Sequence, residues 1–320
     1  MTLKIAFLAC AETMPGSPTR RADAFEHDVQ VAALRAGLTG MDATLIEIDW
    51  RAPLEALSGF DLAVLGTVWD YTDHPAEFLA RLEALEAAGV QVCNPAEVVR
   101  WNADKGYLRE LAEAGAPSIP TLWPDDPEAE DVARAFDHFG TDRVVVKRRV
   151  GAGAVGQFSF TRADPPAPDW RLGQVGMIQP FLPAIQTEGE YSLIFIDGQF
   201  CHALLKQAAD GDYRIQSLYG GREVALEPDP ADIARAAQVL AMLPFTQAPL
   251  YARIDMVRLP DGQLALIEAE LIEPYLYPRQ GPRLGEMLAA AIQRPSSGGS
   301  PKPASPPHRA RALPERRWPG

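Results

Sequence analysis

The sequence predicts an α/β protein that turns to α+β, with antiparallel sheet, in its C-terminal half. Three observations carry this. Strand and helix patterns alternate through the first hundred residues. Beyond Asn102 five strand-like runs follow a helical stretch, with turn residues between them. The last two strands, YARIDMVRL and QLALIEAEL, are joined by a PDG turn at 260–262. Alternation implies parallel strands with helices on their faces, whereas consecutive runs joined by tight turns imply hairpins.

In chain order, LKIAFLA (3–9), ATLIEI (43–48), DLAVLG (61–66) and VQVCN (90–94) read as strands. ADAFEHDVQVAALRAG (22–37) and PAEFLARLEALEAAG (75–89) read as helices, the second opened by Pro75 and closed by Gly89. ADKGYLRELAEAG predicts a helix, GAPSIPT an extended link, and 128–139 a further helix. RVVVKRR, GQFSFTR, GMIQPFL, YSLIFIDG and QFCHALLKQ then read as strands, with a hairpin signal at IDGQ (196–199). DPADIARAAQVLAML (229–243) is a helix before the final hairpin. Segment 294–320 holds seven prolines, six basic residues and one acid, and predicts a disordered extension.

At 320 residues and 47% hydrophobic content the chain can bury a substantial core. No apolar run approaches the roughly 20 residues of a spanning helix, and the N-terminus reads as a strand, so the expected location is the cytoplasm. A net charge of −13 argues against nucleic-acid or anionic-membrane partners. Cys10, Cys93 and Cys201 stand far apart without CxxC spacing and read as reduced core residues. His27, His74, His138 and His202 are scattered and read as structural. Only five lysines occur among 30 basic residues: Lys4, Lys105, Lys147, Lys206 and Lys302. Against that background an internal lysine suggests a compact cation where a guanidinium fork does not fit, as between phosphate oxygens.

GAGAVG (151–156) matches the dinucleotide fingerprint, but that reading needs a helix directly after it. QFSFTRADPPAPDW follows instead, so a Rossmann site is excluded. Strand, glycine loop and strand fit either a flap closing over phosphates or a plain hairpin turn. Lys147, four residues earlier in an apolar strand, favours the flap. In LALIEAELIEP the alternation puts Glu268 and Glu270 on one face, and Asp255 lies on the preceding strand. Three carboxylates in otherwise apolar strands suit magnesium bridging nucleotide phosphates; a solvated acidic face is the alternative.

NADKGYLREL, VVVKRRVGAGAVGQFSF, MIQPFLPAIQTEGEYSLIFIDGQFCHALLK, YRIQSLYGGR, YARIDMV and IEAELIEP occur in the order of the ATP-grasp ligases. The resemblance covers about 94–285 and is nearest to the glutathione-synthetase-like branch, which includes the cyclo-ligase of cycloserine biosynthesis. It implies an N-terminal pre-ATP-grasp α/β domain (1–100), a small lid subdomain (101–180) and a large antiparallel subdomain (181–293). Lys105 and Lys147 would hold the α- and β-phosphates of ATP beneath a loop containing Gly151, Gly153 and Gly156. Gln179, Phe181 and Leu182 would form the hinge that meets adenine, with Glu188 on the ribose hydroxyls and Glu190 in the same nucleotide-binding set. Asp255, Glu268 and Glu270 would bind two Mg²⁺, replaceable by Mn²⁺. Glu270 departs from the asparagine common at its position, which puts the metal count in question. Arg214, Arg222 and Arg253, joined by Lys206, would hold the γ-phosphate and a developing acyl phosphate.

The resemblance implies a ligase that phosphorylates a small amino-acid-like carboxylate and passes the acyl group to an amine, between two molecules or within one. A small-molecule kinase and a non-catalytic ATP-binding module are the competing readings. Trp69, Asp70 and Tyr71 follow a strand of the first unit, where open α/β sheets bind ligands, and are the candidate substrate contacts. Asp70 or Asp73 could instead cap the helix entering at Pro75. A homodimer is the default assembly.

Overall fold

The computed structural model describes residues 2–151, 156–207 and 221–294. Its elements are β1 (Leu3–Ala9), α1 (Phe25–Gly37), β2 (Ala43–Asp49), α2 (Leu54–Leu57) and β3 (Leu62–Thr67). A 3₁₀ turn (Trp69–Asp73) leads to α3 (Pro75–Ala87), β4 (Gln91–Cys93), α4 (Ala96–Asn102), α5 (Tyr107–Glu113) and α6 (Ala129–Phe139). Next come β5 (Arg143–Arg148), β6 (Phe158–Thr161), β7 (Gly176–Pro180), α7 (Ala184–Thr187), β8 (Glu190–Ile196) and β9 (Gln199–Gln207). The chain ends in β10 (Arg222–Leu226), α8 (Pro230–Ala241), β11 (Tyr251–Arg258), β12 (Leu264–Glu270) and α9 (Leu284–Ile292).

Three sheets result, ordered β2-β1-β3-β4, β6-β5-β7 and β10-β9-β8-β11-β12. The first is parallel and the other two antiparallel. Each predicted strand is found within a residue or two of its ends. Both long helices of the first unit form, α1 starting at Phe25 rather than Ala22 because Arg21 and Asp23 pair with each other in the preceding turn. The helix predicted from Ala103 begins at Tyr107, since Asp104 and Lys105 are tied to Arg149 and Gly151. Short α2, α4, α7 and edge strand β10 carry too few periodic positions for a pattern to reveal them. The segment 295–320, expected to be disordered, lies outside the described residues; Arg294 pairs with Asp197.

Two faces of the five-stranded sheet are buried differently. Leu193, Phe195, Ile254, Met256 and Ala269 pack with α5 and α8 residues such as Tyr107, Leu111 and Val239. Ile194, Ile196 and Leu204 on the other face pack with α1, α9 and the 275–277 segment. Helices α1 and α9 approach so closely that a Cβ on Gly285 would sit 2.0 Å from the Ala33 carbonyl oxygen. Tyr251 joins the first sheet to the third: its hydroxyl lies 2.8 Å from the Leu65 and Ile272 carbonyl oxygens.

Candidate active site

The site grows from strand register. On β11 and β12, Arg253 is opposite Glu270 and Asp255 opposite Glu268, so these four side chains share a face while Ile254 and Ala269 enter the core. A bulge follows, because Met256 pairs with Leu266 and Ile267 is left over. That extra residue lets Leu266 and Glu268, two positions apart, serve opposite faces. Asp255 also pairs with Ser192 on β8, and Glu190 with Lys206 on β9, extending the polar patch across four strands.

Charges alternate along this patch. Lys206, 5% exposed, contacts Glu190 and lies 3.3 Å from Asp255 Oδ2. Arg253 donates from Nε to both Asp255 oxygens at 3.1 Å and from Nη1 to the Tyr275 carbonyl at 3.1 Å, and its Nη2 contacts Glu270. Ser192 Oγ donates to Asp255 Oδ1 at 2.5 Å. Burial works against the Asp255 carboxylate, yet Arg253, Lys206 and Ser192 together hold its pKa below the usual value. Burial pushes Glu270 up to about 7 and Glu273, beside Glu270 and Glu268, up to about 8.

The two lysines expected to bind nucleotide, Lys105 and Lys147, converge on the same patch. Lys105 Nζ lies 2.9 Å from Glu268 Oε1 and donates to the Gly151 carbonyl at 2.7 Å. Lys147, on β5, faces Glu268, Lys105 and Glu190; burial lowers its pKa because desolvation penalises the ammonium. Gly151 and Gly156 bracket the glycine loop with φ of 140° and 72°, values an L side chain rarely adopts. Gly153 lies outside the described residues, as does Arg214.

Gln179 is buried on β7 and donates to Thr121 Oγ1 at 3.0 Å. Phe181 N–H donates to Arg143 O at 2.9 Å, and the neighbouring Leu182 N–H has no partner among the described residues. Glu188 is held by Arg258, at 2.9 Å, and by the Tyr191 hydroxyl, which together keep its pKa below the usual value against the effect of burial.

Some expected residues stand elsewhere. Arg222 pairs with Gln207, so Glu223, not Arg222, shares the face of Lys206; strand alternation turns Arg222 away. Lys206 is enclosed by carboxylates rather than open to a phosphate. Among the described residues no three or more His, Cys, Asp or Glu side chains are arranged to hold a metal, because Asp255 and Glu270 turn to Arg253 and Glu268 to Lys105. Among the described residues Glu268 and Glu270 each keep one oxygen without a partner, so the donor chemistry still fits a divalent ion. Asp70 accepts from Trp50 Nε1 at 2.7 Å and contacts Arg51, and α3 has no side-chain cap, so neither Asp70 nor Asp73 caps it. The guanidinium of Arg21 lies 5.3 Å from the centre of the Trp69 ring. Tyr71 is buried against Phe78 and faces Glu273, Glu270 and Glu268, which brings the end of β3 to the acidic hairpin. Ser192 was legible in principle: it and Glu190 are the polar members on one face of an otherwise apolar strand.

Comparison with known proteins decides the family. Residues 5–94 match the model of the D-cycloserine synthetase DcsG N-terminal domain. Over 243 residues, 71% of this chain and 81% of the relative, the sequence is 30% identical to the cycloserine biosynthesis protein DcsG of Streptomyces lavendulae. The chain belongs to the ATP-grasp ligases. The ATP-grasp fold spans it: the crystal structure of D-cycloserine synthetase DcsG superposes with a TM-score of 0.74 at 25% identity, covering 90% of this chain and 98% of that one. The ATP-grasp ligase PsnB, solved with a phosphomimetic variant of its minimal precursor, Mg and ADP, gives 0.62 at 16% identity over 91% and 98% of the two chains. This ATP-grasp protein is accordingly an ATP-dependent ligase that forms carbon–nitrogen bonds. No helix among the described residues is long and apolar enough to cross a membrane.

Proposed function

We propose that the protein joins the carboxylate of a small amino-acid-like substrate to an amine, using Mg-ATP and an acyl-phosphate intermediate and releasing ADP. The observation that carries this reading is the meeting of Lys105 and Glu268 at 2.9 Å, with Lys147 facing both. Two ammonium groups beside an acidic hairpin suit a polyphosphate accompanied by a divalent ion. Lys105 and Lys147 bind the α- and β-phosphates. The Leu182 N–H, at the 179–182 hinge, donates to an adenine nitrogen, and Glu188 stands on the ribose side. Glu268 holds the divalent ion, with Asp255 behind it. The bound ion supplies positive charge that neutralises the phosphate oxygens and aligns them.

A carboxylate cannot expel oxide, so its oxygen first attacks the γ-phosphorus and the bond to ADP breaks. The nitrogen lone pair then attacks the acyl carbon, inorganic phosphate leaves with its bonding pair, and the nitrogen loses a proton. Protein groups need only align these atoms and neutralise charge spreading over the phosphoryl oxygens, the task of Arg253 and the lysines. Water must be excluded to protect the intermediate. Trp69 and Tyr71, at the end of β3, border the substrate side.

An ADP-release screen over amino-acid and amino-oxy carboxylates, with and without added amines, tests the reading. Release that requires a carboxylate and nitrogen nucleophile, and a hydroxamate formed with hydroxylamine, is the expected result. ADP formation with a phosphorylated alcohol as product would overturn it.

A further inference from the structure

Two carboxylates near Arg253 take part in no ion pair among the described residues. Glu26 lies in the first turn of α1 and Glu223 on edge strand β10; both are half-buried, and both feel the charge of Arg253. The cations nearest them are engaged elsewhere. Lys206, opposite Glu223 in the register, is held by Glu190 and Asp255. Arg21 is forked onto Asp23, and Arg253 pairs with Asp255 and Glu270. Arg279 is exposed, its guanidinium 5.6 Å from the centre of the Phe25 ring.

The segment 275–280 ties α1 to β10 and so brings the pair together. Leu276 N–H donates to Gln30 Oε1 at 2.9 Å, and Gln30, four residues on from Glu26, shares its face of α1. Gln280 Nε2 donates to the Glu223 carbonyl at 3.4 Å. On the same segment stands Tyr275, 7% exposed, whose hydroxyl has no hydrogen-bond partner among the described residues. The charges that bear most on its phenol are those of Glu26 and Glu223, while its carbonyl accepts from Arg253 Nη1 at 3.1 Å. Burial, then the charge of Glu223, pushes Glu26 up to about 7, and burial raises Glu223 as well. The site lacks a cation.

The chemistry of that cation follows from its surroundings. An ammonium presents three N–H donors, and two carboxylates with a phenol oxygen supply three acceptors. A divalent ion matches less well, because among the described residues no three His, Cys, Asp or Glu side chains gather to hold one. An amino acid carries its ammonium on the carbon next to its carboxylate, and Arg253, assigned above to the transferring phosphoryl group, faces both glutamates. Arg21, whose charge also reaches Glu26, lies over Trp69 on the substrate border. We propose that Glu26, Glu223 and Tyr275 form the subsite for the α-ammonium group of the carboxylate substrate, whose carboxylate then points to Arg253. This rests on the ligase reading above and narrows it: the substrate is an amino acid with a free α-amine, not any small carboxylate.

The ADP-release screen supplies the probes. Its most active amino acid is compared with the α-hydroxy acid that differs only in carrying hydroxyl for ammonium, with hydroxylamine as the common nucleophile. Wild type should prefer the amino acid by at least about a hundredfold in kcat/KM. Glu26→Gln and Glu223→Gln should each raise the amino-acid KM at least about tenfold, leave the KM for ATP little changed, and narrow that preference. Tyr275→Phe should raise the same KM about tenfold. Partial unfolding would lower the use of both acids alike, so the ratio between them reads the subsite alone. Equal use of the two acids by wild type, a screen led by a carboxylate without an ammonium, or an unchanged ratio in both glutamate variants overturns the proposal. A screen in which no carboxylate releases ADP would instead overturn the ligase reading itself.

Discussion

Glu273 stands three residues beyond Glu270, half-buried, and among the described residues no cation pairs with it. Burial and the charges of Glu270 and Glu268 raise its pKa to about 8. The folded carboxyl therefore holds its proton in a range where the unfolded chain, near 4.5, has lost it. Protons bound to the native state alone stabilise it, so this contribution is full at low pH and declines as pH rises from about 5 through 8. Thermal unfolding of the nucleotide-free protein should show that decline, and Glu273→Gln should flatten it; equal slopes in the two proteins would contradict the assignment. At this scale the sequence was informative about Glu268 and Glu270, whose two-residue spacing alone places them on one face. It was silent about their partners. Lys105 and Arg253 reach the carboxylates through tertiary contacts, so a metal looked like the only compensating charge, whereas ion pairs already supply much of it.

Strand β12 carries the site, and its backbone is braced by side chains distant in sequence. Asn102 Nδ2 donates to Ala269 O at 2.7 Å and its Oδ1 accepts from Leu271 N–H at 2.9 Å. Asn94 Nδ2 donates to Leu271 O at 2.6 Å. Asn102→Ala leaves a buried donor and acceptor unmade and should cost about 2–4 kcal/mol in urea unfolding, summed over two groups. Gly285→Ala should also destabilise, because its Cβ meets the backbone of α1 at 2.0 Å and the helices must separate. A midpoint equal to wild type in either variant would show that these contacts are not stabilising. Strands and long helices were legible because periodicity is local. Arg222 shows the limit: its face depends on pairing with Gln207, which no spacing within one strand reveals.

Across the whole molecule the three sheets supply different parts of one site. The small sheet brings Lys147 and the 179–182 segment, the large sheet brings the carboxylates and Arg253, and the end of β3 in the parallel sheet brings Tyr71. The ordered motifs in the sequence made the family visible, but no motif among them pointed to a particular substrate. On the proposed reading, the two ammonium groups and the acidic hairpin grip one Mg-ATP. Calorimetric titration of ATP into the protein with and without Mg²⁺, repeated on Lys105→Ala and Lys147→Ala, tests it most directly. One Mg²⁺-dependent site is expected in wild type, weakened at least about tenfold in each variant, as loss of a charge-assisted phosphate contact requires. No heat of binding in wild type, or unchanged affinity in both variants, would contradict it.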